Sequence, residues 1–185
     1  MATVRAGHRQ VLLVVDFQVD VVKDAWDVPR ITAKVAHAVA RARAQGAHII
    51  WVQHESARMP YDSPGWQLVP ELVPASGETR LFKKYSSSFE QTPLDKALAH
   101  LGATHVVLAG AQTNWCIRAA AYAALERGYD LTLVADAHTT RPIVREDGRV
   151  VEASGIVDDL NLAMTGLNYP GRRTRAVAAD ALDFS

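Results

Sequence analysis

Four short, continuously apolar runs divide the chain, and stretches of helical spacing separate most of them. Gln10 to Val15 (QVLLVV), Ala47 to Gln53, Val106 to Ala109 and Leu131 to Ala135 are too short and too uniformly apolar to be one-sided helices. They read as strands buried on both faces. Pro29 to Gln45 carries Ile31, Val35, Val39 and Ala42 on one helical face, and Gly46 supplies the stop. Thr92 to Leu101 reads as a helix with Thr92 as N-cap and Pro93 in its first position. Val150 to Leu167 reads as a last helix despite Gly155, and Arg80 to Lys83 and Thr174 to Ala178 as short strands. Strands alternating with helices predict a single α/β domain over 1–185, a doubly wound parallel sheet of about six strands with helices on both faces.

Composition narrows the partners. A chain of 185 residues with 49% hydrophobic content can bury one core but not two ordinary ones. Twenty basic residues balance twenty acidic ones with no basic stripe, which argues against nucleic acid and membrane surfaces and for a small-molecule partner. The single cysteine cannot form an internal disulfide, and the early apolar run Val11 to Val15 is far too short to span a bilayer, so a cytoplasmic location is expected. The segment 55–78 exceeds the usual connection length. It holds Tyr61 and Trp66 among Pro60, Pro64, Pro70 and Pro74, as expected of a substrate lid or a subunit-contact loop.

The candidate chemistry centres on His105 to Thr140. Gly110 to Trp115 form the turn after a buried strand and Cys116 opens the next helix, in which Ile117, Ala120, Ala121, Ala124 and Leu125 recur before Gly128. A helix N-terminus carries free N–H groups and partial positive charge, so a thiol there should ionise more easily; the alternative is a cysteine packed as a small apolar residue. Asp16, His54 and Asp136 follow the other strands, at the carboxyl rim where open parallel sheets collect ligands, although an Asp in that place often only caps a turn. His8, His37, His48, His100, His105 and His138 lie far apart without ligand spacing, so no metal site is expected.

VVDFQ at 14–18, KKYSSSF at 83–89 and GAQTNWC at 110–116 together resemble the isochorismatase-like cysteine hydrolases, a family that includes nicotinamidases. The resemblance runs from about Val11 to Leu167 and takes in GETRLFK, TPLDKAL and GYDLTLVADAHTT. It implies sheet order 3-2-1-4-5-6, a homo-oligomer (dimer or tetramer), and a catalytic triad of Asp16, Lys83 and Cys116. Counting six residues back from Phe89 selects Lys83 over Lys84, and in an extended strand only one of the two can face the cleft. The resemblance also implies an oxyanion hole from the backbone N–H groups of Gln112 and Cys116, a cis peptide at Ala111–Gln112, and a substrate pocket drawing on Gln112, Trp66, Phe89 and Gln18. Metal-binding relatives carry an Asp-x-His pair and further histidines after strand two, where this chain has only His54, so neither metal nor cofactor is expected.

The activity implied is hydrolysis of a small amide or lactam. Lys83 would favour a Cys116 thiolate, Asp16 would carry the proton, and a thioester acyl-enzyme would follow. Relatives that cleave the enol ether of isochorismate can lack the cysteine, so Cys116 favours an amide, and the SSSF and DAHTT elements resemble a lactam-opening branch. Two alternatives stay open: hydrolysis of a carbamate or enol ether on the same triad, and a binding or regulatory relative that turns nothing over.

Overall fold

Alternate residues of β1 (Arg9–Val15) pack on opposite faces of the sheet, Val11, Leu13 and Val15 on one and Leu12 and Val14 on the other. β2 (His48–His54) and β4 (Ala103–Ala111) do the same, which is why these runs carry no polar alternation. The structure, a computed structural model, describes residues 2–185. β3 (Thr79–Lys83), β5 (Asp130–Thr139) and β8 (Thr174–Val177) complete a six-stranded sheet in the order β3-β2-β1-β4-β5-β8, every neighbouring pair parallel. Because β6 (Ile143–Val144) and β7 (Val150–Val151) form a separate antiparallel hairpin, β8 is the sixth strand of the sheet and the expected order 3-2-1-4-5-6 is met.

Helices cover both faces. α2 (Val28–Ala44) buries Ile31, Val35, Ala38, Val39 and Ala42 on the side of Leu12 and Val14. α3 (Leu94–His100), α4 (Arg118–Glu126) and α5 (Ala153–Gly166) bury Leu94, Leu98, Ala121, Leu125, Leu160 and Met164 on the side of Leu13 and Val15. Each large side chain so buried contributes roughly 1.5–3 kcal/mol.

Several elements depart from the sequence expectation. A four-residue helix, α1 (Val19–Val22), follows β1; it is too short for periodicity to show. Pro93 is itself the N-cap residue of α3, and Thr92 Oγ1 accepts the Leu94 N–H at 3.3 Å while donating to the Ser88 carbonyl at 2.6 Å. The last helix starts at Ala153, because Val150 and Val151 pair in the hairpin. β5 extends past Ala135 to Thr139, so Asp136 lies inside the strand rather than at its end.

One backbone position controls the rim. At Gly110 the β4–β5 register shifts, φ is +131°, and a methyl group would run into the Val15 carbonyl, with Val15 N only 2.7 Å away. Gly110→Ala is therefore expected to lower unfolding stability by about 2 kcal/mol or more, since both the dihedral and the β1 contact must give way. Urea unfolding checks this, and a midpoint within error of wild type would refute it.

Candidate active site

Parity along β3 decides which lysine turns inward. Leu81 packs in the core on the α3–α5 side, so Lys83, two residues on, shares its face, while Phe82 and Lys84 point the other way. The Lys83 side chain is 0% exposed; that of Lys84 is 73% exposed and pairs with Glu55 at 3.1 Å. β3 pairs with β2 so that Lys83 lies beside His54.

Asp16 arrives from the end of β1. Its N–H donates to the Val52 carbonyl at 2.8 Å, and its φ of +50°, which Asp tolerates better than most residues, turns the chain out of the sheet. Lys83 Nζ stands 2.6 Å from Asp16 Oδ2, 3.2 Å from Cys116 Sγ, 3.1 Å from the Tyr85 carbonyl and 3.4 Å from His54 Nδ1. Asp16 Oδ1 has no hydrogen-bond partner among the described residues, and Cys116 adjoins the same carboxylate.

Cys116 does not open a regular helix. It sits in a π-type turn, Thr113–Ile117, that precedes α4. The Gln112 carbonyl accepts the N–H groups of Trp115 and Ile117, which bracket Cys116 and leave its own N–H out of that closure. The Ala111–Gln112 peptide is cis, and Gln112 Nε2 donates to the Val21 carbonyl at 3.0 Å, tying the turn to α1.

From behind, the DAHTT segment holds this turn. Asn161 Nδ2 donates to the Ala135 carbonyl at 3.0 Å, so Asn161 Oδ1 faces His138 Nε2 at 3.0 Å and must accept from it. His138 Nδ1 is then the acceptor for the Thr113 hydroxyl at 2.9 Å. Burial holds His138 down to about 4, which keeps this neutral arrangement at ordinary pH. Thr140 Oγ1 donates to Asn114 Oδ1 at 2.5 Å. His138→Phe leaves Thr113 without its acceptor; it is expected to lower kcat about tenfold with little change in KM, because the sulfur's aim changes and the outer cleft does not. An equal loss in both constants, or none, would count against this support role.

The charge state of the thiol differs from the sequence expectation. Burial, then the Asp16 charge, pushes the Cys116 thiol up to about 12, and the Lys83 ammonium only partly opposes them. Burial also raises Asp16 despite the downward pull of Lys83; for Lys83 burial pulls down, but Asp16 and Cys116 outweigh it and the net direction is up. These directions favour a neutral thiol beside the buried Lys83–Asp16 contact of 2.6 Å. Alkylation of Cys116 by iodoacetamide should accordingly keep rising between pH 7 and pH 10; a rate already level at pH 7 would indicate a preformed thiolate.

Asp16 and Cys116 line a cleft of about 460 Å³ together with His54, Gln112, Trp115, Lys23, Arg58 and Arg141, and the buried Lys83 lies behind them. Burial, aided by Lys83, lowers the pKa of His54, so a neutral Nδ1 can accept from the ammonium. Asp136 lies elsewhere, its Oδ1 accepting the Ala179 N–H at 2.7 Å. Three further expected pocket residues are also placed away from the cleft lining. Gln18 is 0% exposed and clamps the backbone, donating to the His54 and Trp66 carbonyls and accepting the His54 N–H. Trp66 is buried against Tyr61 and Phe82, with ring centroids 4.7 and 5.2 Å away. Phe89 packs in the core near Tyr129. Of the segment 55–78, Arg58 and Met59 reach the cleft, and its later part is bonded to the body through Val19 N–H to the Gln67 carbonyl and Val69 N–H to the Phe17 carbonyl. His54, Arg58, Trp115 and Arg141 were absent from the expected pocket; only His54, after a strand, and Trp115, beside the cysteine, carried a sequence signal.

Among the described residues no three His, Cys, Asp or Glu side chains cluster as a metal site, and no helix is long and apolar enough to cross a membrane. A second hollow at the opposite rim, lined by Gln10, His105, Asp130, Arg173 and Arg175, has its charged groups engaged, Arg173 with Asp130 at 3.1 Å and Arg175 with the Thr132 hydroxyl at 2.9 Å.

An open parallel α/β sheet bearing Asp, Lys and Cys side by side at its carboxyl rim defines a class of proteins. The isochorismatase domain model matches residues 10–154, and the chain belongs to the isochorismatase family. It is similar to a streptothricin hydrolase of Streptomyces noursei, 32% identical over 163 residues, covering 84% of this chain and 62% of that one. A second streptothricin hydrolase from that organism is 34% identical over 140 residues, with 51% of its length covered, so the chain spans about half to three-fifths of these relatives. The ureidoacrylate amidohydrolase RutB of Enterobacter sp. (strain 638) is 33% identical over 119 residues, covering 47% of this chain and 52% of that one. Among solved structures, an isochorismatase from Pseudomonas putida KT2440 superposes with a TM-score of 0.84 at 25% identity, covering 95% of this chain and 91% of that one.

Proposed function

We propose that the protein is a cysteine hydrolase of a small amide or lactam, with Cys116 as nucleophile, Asp16 as proton carrier and Lys83 as the charge that holds both. The observation that carries this reading is Lys83 Nζ, 2.6 Å from Asp16 Oδ2 and 3.2 Å from Cys116 Sγ, directly behind a cleft that Asp16 and Cys116 line. The named activities of the streptothricin and ureidoacrylate relatives, both C–N hydrolases, support it.

The proton states set the sequence of events. As sulfur attacks the carbonyl carbon, the S–H proton passes to Asp16 Oδ1, the oxygen Lys83 leaves free; burial has made this carboxylate a stronger base than an ordinary one. The N–H groups of Gln112 and Cys116 receive the oxyanion. The C–N bond then breaks, Asp16 returns its proton to the departing amine, and a thioester remains on Cys116. Water attacks the thioester and gives one proton to Asp16, the C–S bond breaks, and Asp16 passes that proton to the sulfur, so the acid leaves and both the thiol and the carboxylate are restored. Lys83 stays protonated throughout, because losing its proton would leave Asp16 without a counter-charge.

The exposed apolar residues of the β6–β7 hairpin, Ile143, Val144 and Val150, support assembly as a homo-oligomer. The activity is tested with a panel of primary amides, lactams and carbamates, following amine release and intact mass. Amine release together with an acyl adduct on Cys116 is the expected result. Turnover with no adduct on rapid quenching, and full activity after Cys116 is blocked, would sink the covalent mechanism.

A further inference from the structure

The cleft is charged where the chain as a whole is not. Twenty basic and twenty acidic residues balance over the sequence, and Asp16, which lines the cleft, is paired with the buried Lys83. The wall above them carries Lys23, Arg58 and Arg141 against two carboxylates, Asp20 in the lining and Asp24 beside Arg141, which leaves an excess of one positive charge. Most of the other arginines are engaged at normal bonding distance, for example Arg43 with Glu78 at 2.7 Å, Arg118 with Asp159 at 2.6 Å and Arg127 with Asp95 at 3.1 Å.

The cleft arginines are not. Arg58 has no hydrogen-bond or ion-pair partner among the described residues, and Arg141 has only Asp24, at 3.7 Å. Lys23 reaches Asp20 at 3.5 Å, with both side chains about half exposed. Such loose surface pairs hold their charges weakly and yield readily to a better partner. Arg58 comes from the loop after β2 and Arg141 from the segment after β5, so two guanidinium groups from different elements border the space in front of Cys116. Planar guanidinium groups match carboxylate geometry, and a cleft wall of one sign concentrates ligands of the other.

We propose that Arg58 and Arg141 form an anion subsite and that the natural substrate is an amide whose other end carries a carboxylate. This rests on the amidase reading of the same cleft. The reactive carbonyl would lie on Cys116 at the floor, the carboxylate would face the arginine wall, and Met59 and Trp115 would cover the short apolar linker between them.

The single cysteine permits a test that does not need turnover. Iodoacetate and iodoacetamide differ in charge and alkylate the same atom, so their rate ratio at Cys116, divided by that for N-acetylcysteine, reads the field of the cleft. A normalised ratio of about tenfold at low salt is expected, shrinking as salt is added and collapsing in Arg58→Ala/Arg141→Ala, while Arg58→Lys keeps most of it. At equilibrium, Cys116→Ala protein should bind succinamate about tenfold tighter than butyramide by calorimetry. A ratio equal to that of N-acetylcysteine, unmoved by the double substitution, overturns the subsite. Turnover of succinamate and butyramide at equal kcat/KM overturns it too but leaves the amidase reading standing. An anion preference with no amide turned over sinks the amidase reading and retains the subsite.

Discussion

Lys83→Met should lower unfolding stability by about 3–5 kcal/mol and abolish activity together, because it strands the Asp16 carboxylate in a site where that side chain is 1% exposed. The methionine fills the space of the lysine stem, so the loss is electrostatic rather than a cavity effect. With the ammonium gone, burial is opposed only by Cys116 and His54, and the Asp16 pKa rises further than in wild type. A carboxyl group that holds its proton at neutral pH cannot take one from Cys116, so stability and catalysis fall for the same reason.

The pH dependence has a definite sign. The folded variant keeps the Asp16 proton to higher pH than the unfolded chain does. Between the two pKa values folding therefore takes up a proton, and the variant's stability falls as pH rises. Its deficit against wild type should be smallest near pH 4 and grow toward pH 8. Asp16→Asn strands the ammonium instead and should also destabilise, whereas Asp16→Asn/Lys83→Met carries no buried charge and should recover to within about 1–2 kcal/mol of wild type while remaining inactive. Urea unfolding of the four proteins at both pH values checks the cycle; additive single losses in the double variant would show that the two charges do not act as a pair.

The second large effect belongs to Cys116→Ser. A hydroxyl in place of the thiol is a far weaker nucleophile at a similar size, and the Asp16 carboxylate beside it is a poor base for a hydroxyl proton. We expect kcat to fall by roughly 10⁴-fold or more, with unfolding stability near wild type because the side chain is only partly buried. Substrate should still bind, since the arginines and the backbone donors are untouched. A serine variant within tenfold of wild type would mean that the sulfur does not form the covalent bond, and would favour a mechanism in which Asp16 acts directly on substrate or water.

Much of this was legible without coordinates. Continuous apolar runs of four to seven residues between helical stretches point to a parallel sheet covered on both sides, since such a sheet buries both faces of a strand. Strand parity requires that only one of Lys83 and Lys84 face the cleft, and the spacing to Phe89 in the family pattern selects Lys83. The position of Asp16 after β1 and of Cys116 after β4 puts both at the carboxyl rim, and β1 and β4 are neighbours in the sheet.

What depended on the tertiary structure was the environment of each group. A helix N-terminus and a nearby lysine argued for an ionised thiol; burial and the Asp16 charge, which arise only when three strands converge, reverse that direction. Gln18 and Phe89, from the VVDFQ and KKYSSSF motifs, and Trp66, an aromatic of the long loop, were expected in the pocket, whereas their hydrogen bonds and ring contacts make them part of the frame around it. Arg58 and Arg141 gave no sequence signal, since loop residues have no periodicity and the charge at the cleft depends on which distant loops meet there. Local pattern along the chain determined the sheet, its helices and the rim where polar groups gather. Desolvation and through-space charge, which depend on distances between residues far apart in sequence, decided protonation, pocket lining and the sign of the field.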